Sequence, residues 1–465
     1  MTQSASQEYK LPPSYAQKGN LREGSLTRHL VRLTLPMIWG IAVIISFQLV
    51  DMYFIARLGT DALAAVSFTF PVTYAILSLT IAMGIAMSSV VARRIGEGDQ
   101  DGLCRIVTHG IILTCGVAAV ISLVGITLHD PLFRLMGAPD DFIPLIHDYM
   151  LIWFAGSAVI SLPMVGNSAL RASGDTTVPA IIMTVAALVN VILDPILIFG
   201  LFGFPRMEIQ GAALATVIGN SCAAIAGLYI LARHKHYLKF KWIKDLTAFG
   251  DTAKKLLVIA VPVGLTQSIQ PMVNAVVIAL LAAISKEAVA AYGVVLRVEA
   301  FAFIVLMALA TGMAPVIGQN FGAKKFDRVY QTLKLVIRFN VQWSLLLALV
   351  LGLYGADIAR LFSDDSEVVM IAQLFFWVVP FTYAFSNLVT GWSSAFNAMG
   401  QPKRSFIMIV TKLVVLMLPA IYIGAKFGGM YGLFGAMALV NITAGLFFHF
   451  WSWHNVKKDC PASAA

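Results

Sequence analysis

Long apolar stretches alternate with short polar ones along almost the whole chain. They run over 31–56, 66–92, 106–128, 149–169, 180–203, 211–232, 256–283, 289–318, 335–354, 369–395, 405–425 and 432–453. A helix needs about 20 apolar residues to cross a bilayer, and each stretch supplies them. The pattern predicts an all-α integral membrane protein with twelve transmembrane helices. Segments 66–92 and 289–318 exceed one crossing and are expected to run past the hydrocarbon. Five regions follow: a polar tail over 1–30, six spans over 31–232, a basic linker over 233–255, six more spans over 256–453, and a second tail over 454–465.

Composition agrees. Of 465 residues, 59% are hydrophobic and only 12% charged, with mean hydropathy +0.82. Soluble domains carry about 25% charged residues. The net charge of +9 raises the question of nucleic acid, but the placement of the bases answers it. Sorted by loop, 25 of the 33 Lys and Arg fall on one side, six on the other and two within spans. The basic side is expected to face the cytoplasm. Both termini then lie inside a multi-pass protein of the cytoplasmic (cell inner) membrane, whose partner is the lipid bilayer and not nucleic acid. The polar N-terminus has no apolar core followed by a small-residue cleavage site, so no signal peptide is expected. The cysteines, Cys104, Cys115, Cys222 and Cys460, form no CxxC pair and suggest neither a disulfide framework nor a zinc site.

The chain repeats itself. SVVARRIGEGDQD (89–101) aligns with PVIGQNFGAKKFD (315–327) at an offset of 226, and SALRASGDT (168–176) aligns with SAFNAMGQP (394–402) at the same offset. Pro36 aligns with Pro262. Each half holds an even number of spans, so both enter the membrane in the same direction, as parallel repeats about an axis along the membrane normal. Two such lobes suit alternating access to a cavity between them.

Polar residues inside the spans mark the candidate chemistry. Asp51 in SFQLVDMYFIA and Asp194 in NVILDPILIFG lie at membrane depth, where a carboxylate costs about 2.5–3.5 kcal/mol on insertion scales. The second half has no acid at the matching positions, Val277 and the neighbourhood of Leu418. Asn190 lies one helical turn before Asp194 on the same face, Pro195 frees a backbone carbonyl, and Thr216 adds a hydroxyl from span six. These oxygens suit a small cation such as Na⁺; two close carboxylates equally suit a shared proton. The plainer alternative is that the aspartates only tie helices together. Asn167 in span four, Gln267, Gln270 and Asn274 in span seven and Glu299 in span eight are candidates for a cargo-facing wall. The span-seven trio serves equally as interhelical glue, and Glu299 equally pairs with a neighbour or reaches outward beside Arg297. Lys412 is expected to extend its amine to the cytoplasmic surface. Several spans carry prolines, which kink membrane helices.

No ATP-binding GxxxxGK[ST], no HExxH and no catalytic triad occurs, so the chain is not expected to be an enzyme, and uphill transport would draw on an ion gradient. No cofactor is expected beyond the coupling ion. Cargo of amphiphilic cationic character fits three embedded acids against two bases.

Taken in order, VDMYFIARLGTDALAAVS, ALRASGDTTVPA, NVILDPILIFG, GAALATVIG and GQNFGAKKFDR resemble the multidrug and toxic compound extrusion (MATE) family of secondary transporters, from about Leu26 to Trp453. The resemblance implies two six-helix bundles in a V and export of organic cations and amphiphilic drugs in exchange for Na⁺ or H⁺. It implies a cation site at the positions matching Asp51, Asn190, Asp194 and Thr216, and bending of the first helix at Pro36. Twelve spans suffice for a monomer. The alternative within the same superfold is a lipid-linked oligosaccharide flippase.

Overall fold

A computed structural model describes residues 20–245 and 247–461; the expectations for the outermost tails, with Lys10 and Lys18, lie outside the described residues. Every regular element among the described residues is helical. In chain order these are α1 (Leu26–Ala56), α2 (Thr60–Glu97), α3 (Gln100–Leu135), α4 (Ile143–Ala155), α5 (Ser157–Ala172), α6 (Thr177–Phe199), α7 (Glu208–Tyr229), α8 (Phe240–Lys244), α9 (Phe249–Ala282), α10 (Lys286–Ala302), α11 (Ile304–Gly322), α12 (Phe326–Arg360), α13 (Ser366–Val378), α14 (Tyr383–Ala398), α15 (Pro402–Val410) and α16 (Leu418–Asp459).

Ten of these helical stretches are long and apolar enough to cross a membrane, and α4 with α5, bent by 47° at Gly156, makes an eleventh crossing. The stretch Pro402–Asp459 is 58 residues long. At about 1.5 Å per residue it would be far longer than any bilayer is thick. It is two crossings. A Cβ on Gly424 would lie 2.3 Å from the Gly432 carbonyl oxygen, so the chain doubles back between them. The reversal is at Gly429 (φ 55°, ψ −138°), a conformation open essentially only to glycine. That gives twelve crossings. The expected long span 289–318 is α10 and α11, separated at Phe303.

The repeat is visible in the backbone. Gly98 (φ 79°) ends α2, and Lys324 (φ 56°), 226 residues on, follows α11 in the same left-handed conformation. Gly174 (φ 82°) follows α5, and Gly400 (φ 79°), again 226 on, follows α14. A left-handed lysine costs roughly 1–2 kcal/mol that a glycine does not. Lys324→Gly is therefore expected to raise the unfolding temperature of the purified protein by a few degrees, and Gly98→Lys to lower it. Thermal unfolding followed by tryptophan fluorescence checks both signs.

The halves interlock. Leu26, Leu30 and Leu33 of α1 are buried in a core whose other helices are α11, α12, α14, α15 and α16. Their counterparts one repeat later, Leu256 and Ile259 of α9, are buried among α2, α3 and α5. Each half thus lends the first turns of its leading helix to the other. The linker is not a loose tether. His109 of α3 is wholly buried, with Nε2 3.0 Å from the Trp242 carbonyl oxygen and Nδ1 3.3 Å from the Thr252 hydroxyl. Lys235 pairs with Asp175 and Lys239 with Asp101, both at 3.2 Å. We call this the linker end of the molecule, and the opposite one the far end.

At the linker end α2 and α11 cross backbone against backbone. A Cβ on Gly96 would lie 2.2 Å from the Gln319 carbonyl oxygen, and one on Gly322, its repeat partner, 2.2 Å from that of Arg93. Arg93 Nη1 donates to the Ala398 carbonyl (3.2 Å). Gln319, the repeat partner of Arg93, donates through Nε2 to the carbonyl of Ala172, the repeat partner of Ala398 (2.9 Å). The two halves therefore close on each other about a pseudo-twofold axis. The segment before α1 joins the closure: Leu21 N donates to Gln319 Oε1 (3.2 Å), and Asn320 Nδ2 donates to the Leu21 carbonyl (3.1 Å).

Candidate functional site

The first half is folded so that α1 packs on α6 and α6 packs on α7. The α6–α7 contact is close because α7 offers glycine there: a Cβ on Gly219 would lie 2.9 Å from the Ala186 carbonyl oxygen, and one on Gly211 2.7 Å from that of Leu197. Small residues of this kind let membrane helices approach closely. Thr216, between these glycines on α7, is thereby carried to within hydrogen-bond distance of Asn190 on α6.

The four residues expected to form a cation site are brought together. Asp194 is fully buried, Asn190 nearly so, and Asp51 and Thr216 are half-buried. The carboxyl groups of Asp51 and Asp194 stand close enough to interact directly across α1 and α6. With its amide turned to satisfy both neighbours, Asn190 donates through Nδ2 to Asp194 Oδ2 (2.9 Å). Its Oδ1 accepts from the Thr216 backbone N–H (3.0 Å) and hydroxyl (3.2 Å). Each aspartate still has a buried Oδ1 with no hydrogen-bond partner.

Two carboxyl groups in mutual contact cannot both be ionised without a cation between them, because like charges at that distance in a poorly solvated site repel strongly. One proton shared by the pair satisfies the contact. A small hard cation does the same, with the orphaned carboxylate oxygens, the Asn190 amide oxygen and the Thr216 hydroxyl as its natural ligands. The chemistry available is exchange of one positive charge. Tyr149 of α4, missed by sequence reasoning, stands near enough to both carboxylates to feel their charge. In HDYMLIWFA it had no motif or spacing to distinguish it from an interfacial aromatic.

The other candidates do not gather here. Gln270 Nε2 donates to Asn274 Oδ1 (3.1 Å) one turn along α9, and Gln267 lies half-buried one turn before. Glu299 is held by Tyr383 of α14, whose hydroxyl donates to Oε1 (2.5 Å). Arg297, two residues away, is exposed on another face. Two expectations need correcting. Asn167 is not on an open wall: it is 4% exposed, in α5. Lys412 does not reach the surface. It is 6% exposed and donates through Nζ to the Ser386 hydroxyl (2.6 Å), because the helix widens into a π turn over Thr411–Met417 that turns the amine toward α14. Pro36 sits within α1, which continues unbroken through it.

Comparison with known proteins identifies the family. The MatE family model matches residues 36–196 and again 262–423, so that its two matches begin 226 residues apart. The chain belongs to the MATE family of membrane transporters. It is 39% identical to the FAD transporter of Shewanella oneidensis, over 92% of this chain and 94% of that one. It is 29% identical to the probable multidrug resistance protein YoeA of Bacillus subtilis, over 72% and 73%. The solved Vibrio cholerae MATE transporter VcmN, in its bent form, superposes with a TM-score of 0.86 at 30% identity, covering 97% of this chain and 98% of that one.

Proposed function

We propose that this chain is a secondary active exporter of small amphiphilic molecules, driven by exchange of Na⁺ or H⁺ at Asp51 and Asp194. The observation that carries the reading is the buried carboxyl pair with two orphaned oxygens, in a half of the molecule whose repeat partner carries no acids there. The excess of Lys and Arg at the linker end supports a cytoplasmic location for it in the inner membrane. With the linker end closed, the cargo path then opens outward. Taking up a charge at the pair from outside and giving it up inside completes the cycle, as reciprocal coupling between ion and cargo requires.

Two cargo readings are supported by different observations. The multidrug reading, export of organic cations, follows from the embedded acids and from the name of the Bacillus relative. A flavin dinucleotide reading follows from the more similar Shewanella relative. The second half also carries two bases within its spans, Lys412 and Arg297, whose charge suits an anionic pyrophosphate. Both cargoes are planar aromatics with a charge, so one experiment separates them. Everted membrane vesicles containing the protein are given a Na⁺ or a pH gradient, with ethidium or FAD outside. We expect at least tenfold faster uptake of one of them under one gradient than under none. No uptake of either cargo under either gradient, with the protein present in the membrane, would overturn the antiport reading.

A further inference from the structure

At the far end of the first half three groups converge that the transport cycle does not use. His129 and Asp130 lie near the end of α3, and His147 lies in α4. His129 Nε2 is in contact with His147 Nδ1 and lies 3.0 Å from Asp130 Oδ1, and the three atoms lie within 4.8 Å of one another.

One hydrogen bond orients the His129 ring. His129 Nδ1 is 2.8 Å from the Ile126 carbonyl oxygen, which can only accept, so Nδ1 carries the hydrogen. In the neutral ring Nε2 then presents its lone pair to both His147 Nδ1 and Asp130 Oδ1, the latter buried and without a hydrogen-bond donor. Two imidazole nitrogens and a carboxylate oxygen converging on one point are a donor set that a cation satisfies. Anchoring the far nitrogen of an imidazole on a backbone carbonyl is also how proteins orient histidine toward a metal. The Asp130 side chain is half exposed and that of His129 12% exposed, so the cluster is shielded on the protein side and open to solvent on one.

We propose that His129, Asp130 and His147 form a binding site for one divalent transition-metal ion of the Zn²⁺ class, with water in the fourth position. Two imidazole nitrogens and one carboxylate oxygen suit Zn²⁺, Cu²⁺ or Ni²⁺ and not Mg²⁺ or Ca²⁺. Metal–ligand bonds of about 2.0–2.2 Å in a tetrahedron set the ligand atoms roughly 3.3 Å apart, so the cluster needs only small side-chain rotations to close on the ion. The ion would bridge α3 to α4, the helix that carries Tyr149 two residues beyond His147. It would thereby stiffen the wall of the first half beside the carboxyl pair. The alternative occupant is a proton, which makes His129 an imidazolium.

Titration of the purified full-length protein with Zn²⁺ by calorimetry, at neutral pH in detergent, distinguishes the two. We expect one site with micromolar or tighter affinity, at least tenfold weaker in His129→Ala/His147→Ala and partly weakened in Asp130→Asn. Zn²⁺ should raise the unfolding temperature of the native protein and not of the double variant. Co²⁺ in place of Zn²⁺ should give the visible d–d absorption of a four-coordinate site without thiolate bands. His147→Gln keeps the bulk of the ring and guards against a variant that fails to fold; it too should lose tight binding. Equal Zn²⁺ affinity in the double variant, binding lost only when the four cysteines are removed, or no binding to the native protein would each overturn the proposal. The last would leave the cluster to a proton.

Discussion

Replacing Asp194 with asparagine is expected to stop gradient-driven efflux while leaving the protein folded in the membrane. Asparagine has the same shape, so α1 and α6 keep their contact, and its amide still meets Asn190 and Asp51. What is lost is the charge. Asp194 is fully buried and has an unpartnered Oδ1; a neutral amide there removes the cost of burying a charge, so stability should hold or rise. The coupling site, by contrast, loses one of two carboxylates. A single buried carboxylate has no like charge to raise its affinity for a proton and one oxygen ligand fewer for a metal cation. The initial rate of ion-driven transport should fall at least tenfold at unchanged expression, with the unfolding temperature unchanged or higher. If Asp194→Asn transports at the native rate, Asp194 serves only to tie α1 to α6, and the site assignment fails. Tyr149→Phe is the milder companion, since it removes a hydroxyl near the pair and no charge.

Much of this was legible in the sequence, for a physical reason: bilayer thickness is a fixed ruler, and apolar runs are measured against it. The offset of 226 also pointed beyond topology. In the structure the same offset relates backbone positions that share a left-handed turn, even where one half uses Gly98 and the other Lys324. The meeting of Asp51 with Asp194 was legible only as similar depth, because two helices at one depth can face any direction. What was not legible depended on three-dimensional neighbours. Lys412 read as a surface-seeking base because the π turn that redirects it has no sequence signature. His129 and His147, eighteen residues apart in an apolar hairpin, follow no metal-binding spacing. The exchange of leading turns between halves was hidden for the same reason, since Leu30 and Leu256 look alike whichever core they enter.

The other large effect is expected at the crossing of α2 and α11. Gly96→Val and Gly322→Val should each block transport by preventing the linker end from closing. The geometry leaves no room: a Cβ at either position would stand 2.2 Å from a backbone carbonyl oxygen of the opposite half, and a backbone cannot swing aside as a side chain does. Relief requires the halves to separate by an ångström or more. That separation breaks the paired hydrogen bonds from Arg93 to Ala398 and from Gln319 to Ala172, which are short of any spare length at 3.2 and 2.9 Å. The change is confined to the crossing and leaves the interlocked cores around Leu30 and Leu256 in place, so both variants are expected to fold and insert. The closed state, however, becomes inaccessible, and an exporter that cannot close one end cannot alternate. Spin labels at the exposed positions Glu97→Cys and Lys403→Cys, in a background without native cysteines, report the outcome as a distance distribution. We expect it to shift to longer distances in both valine variants, with transport down at least tenfold, and Gly96→Ala to fall between. Because the two glycines are repeat partners acting on one contact, combining the valines should add little to either alone. Native transport with an unshifted distance in Gly96→Val would show that the contact is not needed for closure.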